Sequence, residues 1–222
     1  MKALTYLANK YGTDKGNEIA YAHGFTEIYD EYFQKIAEKC YSEHRKVNIL
    51  EIGVLDAKSL YAYNDFFNGN CEIYGIDIND SCVELSTENI HIYICNQSDR
   101  NEIKNFLNNV NIKYDIIIDD GSHISEHQII SLSSFHKYVA NNGIYILEDL
   151  HTSLSTEFDN VETEDSALYY LTFGKPSIFL TDEENNELKD DIKTVSIFCT
   201  NNEANSNFDN KSITSIITFK NN

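Results

Sequence analysis

Phe25, Ile28, Tyr29, Tyr32, Phe33, Ile36, Ala37 and Cys40 recur at intervals of three and four residues. That is the period of a helix burying one face, and it predicts a helix over 25–40. Leu4, Leu7, Ala8 and Tyr11 repeat the spacing over 2–11, ahead of a polar turn, Gly12-Thr13-Asp14-Lys15-Gly16. From Val47 the period shortens. Runs of β-forming residues predict strands at Val47–Val54, Glu72–Ile78, His91–Gln97, Tyr114–Asp119 and Gly143–Leu147, with helices at Ser59–Phe67, Arg100–Asn109 and Ser125–Val139. Such alternation implies parallel βαβ units. Thr194–Thr200 and Ile213–Lys220 read as two further strands joined by a polar loop, Asn201–Ser212, with no helix between them. That pair is expected to be an antiparallel hairpin. The stretch from Thr152 to Lys193 is long and acidic, and reads as a solvated insertion placed to shape a substrate pocket or an oligomer contact.

The chain has 222 residues, 41% of them hydrophobic, which suits one α/β domain over 1–222 with a full core. No run of roughly 18 apolar residues is present, so no membrane insertion is expected. The first ten residues lack the apolar stretch of a secretion signal. Five cysteines stand far apart without a C-x-x-C pair, the expectation for reduced, buried thiols of a cytoplasmic protein. A net charge of −19 repels nucleic-acid phosphates and favours a divalent cation.

Candidate chemistry concentrates where strands end. Asp115-Ile116-Ile117-Ile118 runs into Asp119-Asp120-Gly121-Ser122-His123, and Gly143-Ile144-Tyr145-Ile146-Leu147 runs into Glu148-Asp149-Leu150-His151. In open α/β sheets ligands sit beyond the carboxyl ends of the strands, so these two ends are expected to line one polar pocket. The first strand closes as Glu51-Ile52-Gly53-Val54, where a glycine admits close backbone approach and the following helix attracts an anion. Asp77 ends the second strand, where a carboxylate can accept both ribose hydroxyls. G-x-G-x-x-G is absent, since positions 55 and 58 are leucine and lysine, so NAD lacks its pyrophosphate seat. A nucleoside with a carboxylate tail fits better, and S-adenosylmethionine has that form.

Together these motifs resemble class I S-adenosylmethionine-dependent methyltransferases, and within them the macrolide and sugar O-methyltransferase family. The resemblance rests on Lys10-Tyr11-Gly12-Thr13-Asp14-Lys15 with His23 and Tyr29, Leu50-Glu51-Ile52-Gly53-Val54, Gly75-Ile76-Asp77, Asn96-Gln97-Ser98-Asp99, Asp119-Asp120-Gly121-Ser122-His123 and Gly143–Leu150, in family order over about residues 10–152. It implies a Rossmann-like sheet, mostly parallel with the antiparallel terminal hairpin, in four parts: an N-terminal helical lid (1–45), a cofactor-binding core (46–150), an acceptor-recognition insertion (151–193) and a terminal strand pair (194–222). It implies a divalent metal, Mg²⁺ by the hardness of its ligands, on Asp120, Glu148 and Asp149. His123 becomes the catalytic base beside Asp120. The cofactor is expected to meet Thr13, Lys15, Glu51, Gly53, Ser59, Asp77, Gln97, Ser98 and Asp119. Ala57 stands where the family usually has glycine, and alanine is accommodated there at negative φ.

The expected acceptor is a sugar hydroxyl of a natural product or of a surface (capsular) polysaccharide precursor. Another oxygen acceptor, such as a small phenol, and a non-catalytic nucleoside-binding protein are the alternatives. The partners are therefore small molecules or glycan precursors, with a homo-oligomer contact left open and no nucleic acid.

Overall fold

The computed structural model describes residues 2–155, 161–201 and 211–220. Helices α1 (Ala3–Tyr11) and α2 (Thr26–Ser42) precede the sheet. Its strands are β1 (Val47–Ile52), β2 (Cys71–Asp77), β3 (Ile90–Ile94), β4 (Tyr114–Asp119), β5 (Val139–Leu147), β6 (Ile192–Asn201) and β7 (Lys211–Phe219). Between them lie α3 (Lys58–Phe66), α4 (Arg100–Val110), α5 (Ser125–Phe135), α6 (Ala167–Phe173) and α7 (Asp182–Asp191). The strand order is β3-β2-β1-β4-β5-β7-β6. β1 to β5 run parallel, and β7 is antiparallel to both β5 and β6. The expected α/β sheet with its antiparallel hairpin is thus present.

Successive residues of a strand face opposite ways, so each strand feeds two cores. Ile116 and Ile118 pack with Leu4, Tyr29 and Phe33 from α1 and α2. Ile117 packs with Phe106, Ile129 and Leu132 from α4 and α5. Tyr29 and Phe33 are fully buried, and side chains of that size each contribute roughly 1.5–3 kcal/mol by leaving water. β7 buries Ile216 in one core and Ile217 in the other, whereas β6 exposes part of its length. That difference makes β7 interior and leaves β6 as the edge.

Several boundaries differ from expectation; β3, for example, ends at Ile94 rather than Gln97. α5 stops at Phe135 rather than Val139, and a 3-10 turn over His136–Tyr138 follows. β5 then begins at Val139, not Gly143. Its register against β4 shifts between Tyr114 and Ile116, and Asn142 takes φ 61°, so the asparagines that look like a loop sit in an irregular strand start. The acidic insertion contains α6 and α7. Thr181 and Glu184 form a reciprocal capping box at the start of α7, with Glu184 N donating to Thr181 Oγ1 (3.2 Å) and Thr181 N to Glu184 Oε2 (2.8 Å). Residues 156–160 of that insertion, and 202–210 of the expected hairpin loop, lie outside the described residues. Among the described residues no helix is long and apolar enough to cross a membrane.

Candidate active site

Ile52 of β1 pairs with Asp119 of β4, and Asp119 with Leu147 of β5. The chain therefore leaves three adjacent strands at one level, where the strand order reverses between β1 and β4. The loops cross closely. A Cβ on Gly53 would lie 2.8 Å from both the Asp120 carbonyl carbon and Gly121 Cα, and the residue has φ 89°. Backbone packing alone therefore requires a glycine at position 53. Ala57 has φ 58°, so the negative φ that would accommodate alanine is not adopted, and the conformation costs an L-residue about 1–2 kcal/mol. Leu55 (φ 51°), His123 (59°) and Asp149 (54°) are left-handed too, so backbone strain gathers at the site.

Asp119 keeps the strand alternation and points into the α4–α5 layer. It is fully buried; Gln97 Nε2 donates to its Oδ1 (3.0 Å) and Tyr145 Oη to its Oδ2 (3.2 Å). Gln97 also receives Ser122 N (2.6 Å) and donates to Ser131 Oγ (3.1 Å), so it ties the β3, β4 and α5 segments together. Burial pushes the Asp119 carboxyl up to about 7 against the pull of Gln97 and Tyr145. A carboxyl raised in the fold keeps its stability contribution below its unfolded pKa near 4 and loses it as pH rises to about 7, by roughly 1.4 kcal/mol per pH unit. Asp119→Asn is expected to stabilise the protein at pH 8, with the advantage over wild type shrinking at pH 5.5. Denaturant melts at the two pH values check this; a pH-independent difference counts against it.

Asp120 leaves the alternation and faces the pocket with Lys15. The Lys15 ammonium bonds Asp120 Oδ2 and Glu148 Oε2 (2.7 Å) and lies 3.6 Å from Glu51 Oε1. Burial works against its charge, yet Asp120, Glu148 and Glu51 outweigh burial and hold it well above the usual lysine range. Glu51 receives Ser59 Oγ at 2.6 Å, and burial raises its carboxyl to about 7 despite Lys15.

Beside this cluster, Asp120, His123 and Asp149 each bring one potential ligand atom within 4.8 Å of the others. His123 Nε2 lies 3.6 Å from Asp149 Oδ2. On the other side of Asp149, Oδ1 faces His23 Nδ1 (3.9 Å) and His151 Nδ1 (3.8 Å). Burial lowers the proton affinity of His151 against the pull of Asp149. His123 Nδ1, Glu148 Oε1 and Asp149 Oδ1 are buried without a hydrogen-bond partner. Glu148 belongs to no such cluster among the described residues, so the expected set of Asp120, Glu148 and Asp149 is not brought within that distance. Buried polar atoms are rarely left unpaired, and each of these three is open to a ligand atom.

The convergence of His23 and His151 on Asp149 was not legible as a contact, because His23 lies in the N-terminal segment. Ser212 Oγ lies 2.6 Å from His23 Nδ1, Thr200 Oγ1 donates to the His23 carbonyl (2.6 Å), and Tyr29 Oη lies 2.7 Å from Thr214 Oγ1. β6 and β7 thereby hold the N-terminal segment against the site.

A cleft of about 580 Å³ is lined by Thr13, Lys15, Gly53, Ser59, Asp77, Asp120, His123 and Asp149, among others. A second, of about 290 Å³, shares Gly53, Asp77 and Gly121 with it and is bordered by Ile78, Gln97 and Ser98. Glu51, Asp119 and Glu148 line neither cleft and lie buried behind them. Asp77 does more than sequence suggests. Its Oδ2 receives Val54 N (2.8 Å) and Leu55 N (3.1 Å), and its Oδ1 Asn79 N (2.8 Å). Burial raises its carboxyl, but these donors outweigh burial and keep it ionised below the usual range.

The chain is 33% identical over 162 residues to the mycinamicin VI 2''-O-methyltransferase of Micromonospora griseorubida, across 68% of this chain and 36% of that protein. It is 29% identical over 170 residues to the 8-demethyl-8-alpha-L-rhamnosyl tetracenomycin-C 2'-O-methyltransferase of Streptomyces olivaceus, across 73% of this chain and 42% of that one. This chain is a relative of the S-adenosylmethionine-dependent macrolide and deoxysugar O-methyltransferases. It spans about two fifths of the length of those family members. No protein-family model matches it. Its fold is that of the class I methyltransferases, shared with the MycE methyltransferase of the mycinamycin pathway, solved with Mg, SAH and mycinamycin VI. That likeness has a TM-score of 0.74 at 23% identity and covers 98% of this chain and 54% of MycE.

Proposed function

We propose that the protein transfers a methyl group from S-adenosylmethionine to a hydroxyl of a sugar, carried on a natural-product glycoside or a glycan precursor. The observation that carries this reading is the convergence of Asp120, His123 and Asp149 at the strand switch, in one cleft with Asp77. Kinship with sugar O-methyltransferases supports the acceptor class.

In this reading Asp77 accepts the ribose hydroxyls through lone pairs left by its backbone donors, and Ile78, Gln97 and Ser98 border the base. Gly53 and Ser59 receive the amino-acid end. Thr13 closes the pocket from the N-terminal segment, 1–45, and the insertion over 151–193 selects the acceptor. Glu51 and Asp119 support the cofactor's floor from behind rather than touching it. Asp120 and Asp149 supply hard oxygen donors that fit Mg²⁺, and Glu148, with one unpartnered oxygen, is the third carboxylate proposed for it. Bound there, such an ion orients a hydroxyl and makes it more acidic. His123 takes the hydroxyl proton, and Asp149 steadies its imidazole from 3.6 Å.

Titration calorimetry tests the cofactor half. S-adenosylhomocysteine is expected to bind and NAD not to. Asp77→Ala should weaken binding by about tenfold or more, the scale of a lost hydrogen bond to a charged group. Tight NAD binding with no response to the sulfur nucleosides overturns the assignment. Transfer of labelled methyl to sugars rather than phenols tests the acceptor.

A further inference from the structure

We propose that Lys15 is a built-in cation that positions the metal-binding carboxylates, taking one oxygen each from Asp120 and Glu148 and leaving the other for a divalent ion. This rests on the metal reading above and concerns a residue that sequence places only near the cofactor.

The geometry is specific. Lys15 Nζ bonds Asp120 Oδ2 and Glu148 Oε2, while Glu148 Oε1 stays buried and unpartnered. A carboxylate gripped at one oxygen cannot rotate freely, so the free oxygen has a fixed direction. Groups behind metal ligands commonly act in this way. Charge points the same way. Glu51, Asp120 and Glu148 surround Lys15, and with Asp149 they make four carboxylates that one ammonium and one divalent ion largely offset. A bare triad of buried carboxylates would be costly to keep in place.

Lys15 is also anchored as a fixture rather than a competitor for the metal position. The residue is only 1% exposed. Its carbonyl accepts both Thr26 N (3.0 Å) and Thr26 Oγ1 (2.9 Å), at the start of α2. Withdrawing the ammonium would strand a buried charge, and moving the backbone would break both bonds. The N-terminal segment therefore contributes to the metal site without coordinating the ion.

The test is Mn²⁺ binding followed by electron paramagnetic resonance in wild type and Lys15→Met, with no turnover needed. The variant is expected to bind Mn²⁺ at least about tenfold more weakly, the lower end of effects from residues behind metal ligands. Its bound-Mn²⁺ spectrum is expected to broaden as the carboxylates lose their fixed directions. Circular dichroism checks the fold. Should Lys15→Met fail to fold, the charge-balanced Lys15→Met/Glu51→Gln double variant carries the same comparison, because it removes one carboxylate together with the cation. Unchanged affinity with an unchanged spectrum overturns the inference while leaving the metal reading intact. Tighter binding also overturns it, since Lys15 would then be a competitor. Wild-type protein that takes up no Mn²⁺ overturns the metal reading, and this inference with it.

Discussion

His123→Ala is expected to lower the methyl-transfer rate by about 100-fold or more, the lower end of what a positioned general base contributes. Fold and S-adenosylhomocysteine affinity should stay close to wild type. The proposed function puts His123 on the acceptor side, and its Nδ1 has no hydrogen-bond partner to lose. Histidine adopts the local φ of 59° more readily than alanine does, so circular dichroism of the variant accompanies the rates. Rates across pH 6–8 with saturating cofactor are the measurement. Near wild-type turnover throughout that range would remove the base role and leave the acceptor proton to water or another residue.

Stripping divalent cations is expected to reduce turnover by at least about tenfold, with recovery on Mg²⁺ addition, given the scale of Lewis-acid assistance. A second readout needs no acceptor. A ligand at 100 times its dissociation constant stabilises a fold by about 2.7 kcal/mol, so Mg²⁺ should raise the melting temperature of wild type and much less that of Asp149→Asn. Asp149 is the sensitive position because one oxygen faces His123 and the other faces His23 and His151. Full activity in metal-free protein would leave the carboxylates as direct hydrogen-bond acceptors.

Much of this was legible from periodicity alone. The β4 run Ile116-Ile117-Ile118 is apolar at every position because α2 and α5 cover its two faces, and such a run announces a central parallel strand. Carboxylates after it had to emerge at the sheet's carboxyl edge. Which carboxylate faces the pocket was not legible, since that depends on where strand alternation stops. Asp119 stays in the strand and is buried against Tyr145; Asp120 does not. Lys15 was assigned by motif to the cofactor, and its pairing with residues 105 and 133 positions away is a tertiary fact with no local signature. The sign of φ at Ala57 was not legible, since an L-residue's own preference is for negative φ. Conversely, α7 carried a readable Thr181-x-x-Glu184 start, hidden by a helix that buries little besides Asn185 and Leu188.

The bonds from His23 to Ser212 and from Tyr29 to Thr214 join residues 189 and 185 positions apart. At ribosomal speeds of about 5–20 residues per second, the beginning of the chain waits roughly 10–40 s for these partners to be made. Every strand from β1 to β5 is synthesised before β7, so the parallel core can assemble while the entrance to the site is still unlatched. Until β7 has been made, neither of these bonds to the N-terminal segment can form.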